Sequence, residues 1–146
     1  MHRLLLLMAT TTYKAQSFLA AAERLGISVV VGTDRRQVLA DLHPEGNLTL
    51  DFASPADATR DIAVFARRYP LDAIVAADDD GVLLAAHAAA VLGLRHNGPA
   101  AVRAARDKRR TRAVLREAGL PVPRFAPSPW TRTPPGQPLR WSTPAC

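Results

Sequence analysis

The stretch AADDDGVLLAAHAAAVLGLRHNGPAAVRAARDKRRTRAVLREAGLPVP, residues 76–123, decides how this chain is read. Just before it, Ala73–Ala76 is a short apolar run of the length of a strand buried on both faces. Three acids follow, Asp78, Asp79 and Asp80. Asp80 is the expected cap of a helix over residues 81–92, with Gly93 just past its end. Leu94–His96 is a candidate short strand, Pro99 opens a brief helix, and Asp107 caps a longer one stopped at Gly119. A strand ending in acids and feeding a helix is half of a βαβ unit.

The residues before this stretch repeat the same alternation. Leu4–Met8 is a continuous apolar run, followed from Thr12 to Leu25 by apolar positions at helical spacing (Ala15, Phe18, Leu19, Ala22) and a stop at Gly26. Ser28–Val31 is β-branched and apolar, which marks a second buried strand. A helical turn is expected over Gln37–Leu42, then turn chemistry through His43-Pro44-Glu45-Gly46-Asn47 and a short strand at Leu48–Phe52. Ser54 reads as a cap, with Pro55 at the first position of a helix that ends before Pro70. Strands alternating with helices pair in parallel, and right-handed crossovers favour the strand order 3-2-1-4. The fold class expected is therefore α/β: a three-layer, Rossmann-like parallel-sheet sandwich, with a candidate fifth strand beside the fourth.

Composition excludes several classes. The single cysteine is Cys146, which rules out a disulfide framework and a cysteine-based metal site. Leu4–Met8 is too short for a membrane span and lacks the flanks of a signal peptide, so a cytoplasmic protein without membrane contact is expected. The net charge of +6 is not spread evenly. Residues 1–100 carry 9 Lys/Arg against 11 Asp/Glu, whereas residues 101–146 carry 10 against 2, so the excess sits on the last helix and the tail. Aromatic residues for base stacking are scarce before the tail, which argues against nucleic acid as the partner.

Two candidate sites lie at strand ends, where open parallel sheets bind ligands. After the first strand come Thr10, Thr11 and Thr12, which can meet a small ligand at a helix start or simply cap that helix. No glycine lies between Met1 and Gly26, so the Gly-x-Gly-x-x-Gly turn of dinucleotide-binding domains is missing. After the fourth strand, Asp78 and Asp79 can hold an amine or a cation, while Asp80 serves as the cap. The four histidines are too scattered for a metal motif, and neither a Walker phosphate loop nor a nucleophile elbow is present. Lys108-Arg109-Arg110-Thr111-Arg112 is the strongest basic cluster, ordinarily a solvated helix face.

Residues 3–125 resemble the N-terminal domains of ATP-grasp ligases, most closely those that join a carboxylate to an amine, such as amino-acid ligases. The resemblance is carried by Asp78–Asp80, Leu92-Gly93-Leu94, His96-Asn97-Gly98-Pro99, Ala105-Arg106-Asp107-Lys108 and Ala118-Gly119-Leu120-Pro121-Val122-Pro123. It implies an activity in which ATP converts the carboxylate to an acyl phosphate that the amine then attacks. It also implies ATP and Mg2+ as cofactors of the full-length enzyme, and a role for Lys108 in reaching the ATP phosphates. The adenine pocket, glycine-rich loop and magnesium ligands of that family lie in later subdomains. The chain itself is therefore expected to bind no cofactor tightly and to be inactive alone. A free-standing small-ligand binding or regulatory α/β domain is the alternative.

Three regions are expected: an α/β domain over residues 1–98, a helical linker over 99–126, and a disordered tail over 127–146. The tail holds six prolines and no acid, an abrupt change that reads either as a frame-shifted product or as a natural proline-rich linker.

Overall fold

The computed structural model describes residues 2–35 and 44–123. The helical turn expected at Gln37–Leu42 and the tail over 127–146 lie outside the described residues.

The elements run β1 (Arg3–Leu7), α1 (Ala15–Arg24), β2 (Ser28–Thr33), β3 (Asn47–Thr49), α2 (Pro55–Arg68), β4 (Ala73–Ala76), α3 (Asp79–Val91), α4 (Pro99–Ala105) and α5 (Lys108–Glu117). The four strands form one parallel sheet in the order β3-β2-β1-β4. Alternation along β1 divides the core. Leu5 and Leu7 face α2 and α3 with Val30, Leu50, Ile62 and Leu84, whereas Leu6 and Met8 face α1 with Ala15, Phe18, Val29 and Val31. This accounts for the unbroken Leu4–Met8 run: a strand covered by helices on both sides needs apolar residues at every position.

Helix α3 comes close to the sheet because Gly81 has no side chain. A Cβ there would stand 3.2 Å from the Cβ atoms of both Ala76 and Leu7. Gly32 is tighter still, with a Cβ meeting Leu7 Cδ2 at 2.6 Å.

Several boundaries depart from the sequence expectation. Helix α1 starts at Ala15 rather than Thr12, because Thr12 donates its N–H to Ala9 and closes a turn first. Strand β3 stops at Thr49, since Asp51 turns the chain by accepting from Ala53 N–H through its side chain and from Ser54 N–H through its carbonyl. Ser54 does precede α2 with Pro55 following, but its side chain makes no cap bond. Helix α3 begins at Asp79, and Asp78 takes the cap position expected of Asp80. The extended backbone of Asp78 (φ −130°, ψ 160°) brings its carbonyl to Gly81 N–H, so the first turn starts two residues early.

The fifth strand does not form at Leu94–His96. Gly93, at φ +67°, closes α3 by donating to Ala90, while Leu94 N–H returns to Ala89 and the His96 ring nitrogen lies 2.7 Å from the Leu94 carbonyl. The segment's backbone groups are thus used locally, in a left-handed helix closure that favours glycine. Asp107 behaves as expected, its carboxylate accepting from Arg109 N–H at 2.8 Å and Arg110 N–H at 3.3 Å.

Candidate functional site

In the sheet register Leu7 lies opposite Gly32 on one side and Ala76 on the other. The segments that leave β1, β2 and β4 therefore emerge at one edge. From β1 the chain steps outward to β2 and β3, then returns to β4 on the other side, so β1/β4 is the point where the winding direction reverses. In open parallel sheets ligands usually bind at such a reversal point.

The β1–α1 loop spans that edge and is held at two points by carboxylates. Thr10 donates both its backbone N–H (3.0 Å) and its hydroxyl (3.2 Å) to Oδ1 of Asp34, the residue after β2. Thr12 donates its hydroxyl to Oδ1 of Asp78, after β4, at 3.1 Å, and accepts from Lys14 N–H at 3.3 Å. The Lys14 ammonium donates to the Ala77 carbonyl at 3.1 Å and stands 3.7 Å from Asp78 Oδ1.

The electrostatics at the two clasps differ. The Thr10 backbone N–H, aided by its hydroxyl and the Arg35 charge, holds the Asp34 carboxyl below the usual carboxylate range against the opposing effect of burial. Asp78 is half-buried, and its Oδ2 is enclosed with no hydrogen-bond donor among the described residues. A buried oxygen left without a donor is costly unless something supplies one, so Asp78 keeps an acceptor unused beneath the β1–α1 loop. Thr11 and Tyr13 are exposed on that loop, as are Asp79 and Asp80 in the first turn of α3, where their charges meet the positive end of the helix.

Of the residues singled out from sequence, the structure brings Thr10 and Asp78 to one edge, with Thr11 and Asp79 beside them. Lys108 is elsewhere: exposed at the first position of α5, which packs on α4 and through it on α3. Thr12, Lys14 and Asp34 were not singled out as a group. The signal for Asp34 was its place after Val31-Gly32-Thr33, the strand-end counterpart of Asp78. Among the described residues no three His, Cys, Asp or Glu side chains converge where a metal ion could be held. No helix among them is long and apolar enough to cross a membrane.

The profile of the ATP-grasp N-terminal domain family matches residues 19–96, more than half of the chain. The chain belongs to this family. No curated protein sequence matches it. Among solved structures, this ATP-grasp N-terminal domain is similar to the L-amino acid ligase from Bacillus licheniformis, with a TM-score of 0.69 and 21% identity over 84% of this chain. It is also similar to the phosphoribosylglycinamide synthetase from Anaerococcus prevotii, with a TM-score of 0.61 and 21% identity over 81%. These are likenesses of fold. The chain covers 32% of the first ligase and 29% of the second, so it spans about a third of their lengths.

Proposed function

We propose that this ATP-grasp N-terminal domain serves an ATP-dependent ligase that joins a carboxylate to an amine. In that reaction a carboxylate oxygen attacks the terminal phosphorus of ATP and expels ADP. The amine then attacks the acyl carbon, loses a proton and displaces phosphate. The family match over residues 19–96 is the observation that carries this reading. The two ligases of similar fold support it.

Within the reaction the domain has two tasks. Thr11, Asp78 and Asp79, at the strand-end edge, contact a small-molecule substrate: hydroxyl and carboxylate oxygens there accept from an amine. Thr10 holds the loop in place through Asp34. Lys108 contacts the phosphates of ATP as a mobile point charge on a four-carbon stem, and its exposure on a capped helix suits that contact. The described residues fit a phosphate contact but offer no magnesium ligand set, and no step here is assigned to the metal. Alone, the chain is proposed to ligate nothing, since its sequence holds no glycine-rich phosphate loop.

Titrating the 15N-labelled chain with MgATP tests the Lys108 assignment. Amide signals over residues 107–112 should shift with a dissociation constant of about 1 mM or weaker, as befits one exposed charge contact. Lys108→Ala should abolish the shifts. Unchanged shifts in that variant, or shifts confined to residues far from α5, would overturn the assignment.

A further inference from the structure

The chain holds two asparagines, and the fold treats them differently. Asn47 starts β3, is half-buried and partnered, and is followed by the branched Leu48. Asn97 is exposed in the irregular segment between α3 and α4 and is followed by the exposed Gly98. Among the described residues nothing bonds to the Asn97 carboxamide. The Gly98 N–H likewise donates to nothing, although the Gly98 carbonyl accepts from Val102 N–H at 3.1 Å and opens α4.

That combination suits attack of one group on the other. Glycine has no Cβ to crowd its nitrogen, so the deprotonated Gly98 nitrogen has access to the Asn97 side-chain carbonyl carbon. The new C–N bond closes a succinimide ring while the carboxamide C–N bond breaks and its nitrogen leaves as ammonia. Water then opens the ring. Attack at the former side-chain carbonyl leaves aspartate. Attack at the main-chain carbonyl leaves isoaspartate, in which the chain runs through the side chain. In a helix or strand the N–H would be bonded and the backbone fixed, and neither restraint applies to Asn97. Asparagine is already among the thermolabile residues.

We propose that Asn97-Gly98 is a spontaneous deamidation site of the folded chain, and that its isoaspartyl product loosens the docking of α4 and α5. The site is the covalent entry to that arm. Helix α4 packs on α3, and α5 packs on α4. Neither helix contributes a buried residue, so little burial resists a shift. Gly98 is the N-cap of α4 and supplies no side-chain cap bond, and an isoaspartyl linkage inserts a methylene into the chain directly before it. The inference stands apart from the ligase reading, since it needs only the exposure of this dipeptide and the packing of α4.

Ageing the 146-residue chain in mildly alkaline buffer, folded and in urea, tests the site. Trypsin releases residues 96–103 as HNGPAAVR, between Arg95 and Arg103. In the folded sample this peptide should lose its amide form to acidic products, and an isoaspartyl carboxyl methyltransferase should label it. The peptide carrying Asn47 should stay unchanged. Gly98→Ala should abolish the label and still fold, because a Cβ there meets nothing within 4 Å and φ is −54°. Asn97→Gln should also abolish it. Products formed in urea but not in the folded chain would show that the fold protects Asn97, and would overturn the proposal. Undiminished label in Asn97→Gln would place the modification elsewhere and overturn it equally. Hydrogen exchange reads the effect on the arm: in the labelled fraction the amides of α4 and α5 should exchange several-fold faster, with those of β1 and β2 unchanged. Equal rates in α4 and α5 before and after ageing would refute the loosening.

Discussion

Removing the charges that fasten the β1–α1 loop to β4 should reveal a measurable coupling between Lys14 and Asp78. Their charged atoms stand 3.7 Å apart, with side-chain exposures of 42% and 23%. Coulomb's law gives about 1 kcal/mol for that separation in bulk water and about 4 kcal/mol at an effective dielectric constant of 20. Partial exposure, salt screening and the ordering of the lysine stem reduce the net value to about 0.5–1 kcal/mol. Asp78→Asn removes the charge and keeps an acceptor for the Thr12 hydroxyl at Oδ1. Lys14→Met keeps the stem but also loses the bond to the Ala77 carbonyl, so alone it should cost about 1 kcal/mol more than the pair coupling. Urea unfolding of the wild type, both single variants and the double variant yields the coupling directly, provided the m-values agree. The double variant should be more stable than additivity predicts by about 0.5–1 kcal/mol, and less so in 1 M salt, where the screening length is about 3 Å. A coupling below about 0.2 kcal/mol in low salt would refute the clasp as an energetic feature.

Gly32→Ala should destabilise the chain by about 1–3 kcal/mol. The new Cβ would meet Leu7 Cδ2 at 2.6 Å, and Leu7 is fully buried between sheet and helices with little room to move; a shift of less than about 0.5 kcal/mol in urea would show that the core yields there. Stability should also fall as the pH drops below about 4. The Asp34 and Asp72 carboxyls are both held below the usual range, Asp34 first by the Thr10 N–H and Asp72 first by the Arg3 N–H. A folded-state value below the unfolded one gives stability that is present above the unfolded value and lost as pH falls through the folded one. Asp34→Asn should flatten that acid limb, and an unchanged profile by circular dichroism would contradict the assignment.

The alternation of strands and helices, the parallel order and the two-faced burial of β1 were all legible in the sequence. Each follows from local rules: an unbroken Leu4–Met8 run needs cover on both faces, and Gly26, Gly93 and Gly119 stop helices where a left-handed residue is wanted. The strand order followed from the handedness of crossovers, which is a property of the twisted chain and not of any particular residue. The family was legible as well, through the order and spacing of Asp78–Asp80, His96–Pro99 and Asp107-Lys108. The tertiary structure alone decided that Leu94–His96 does not pair, because Gly93 and His96 absorb its backbone groups locally. It alone joined Thr10 to Asp34 across 24 residues and Thr12 to Asp78 across 66. Such pairs depend on which strand ends become neighbours once the sheet is assembled. No periodicity in the chain encodes that, since the residues at a strand end share neither a face nor a spacing until the register brings them to one edge.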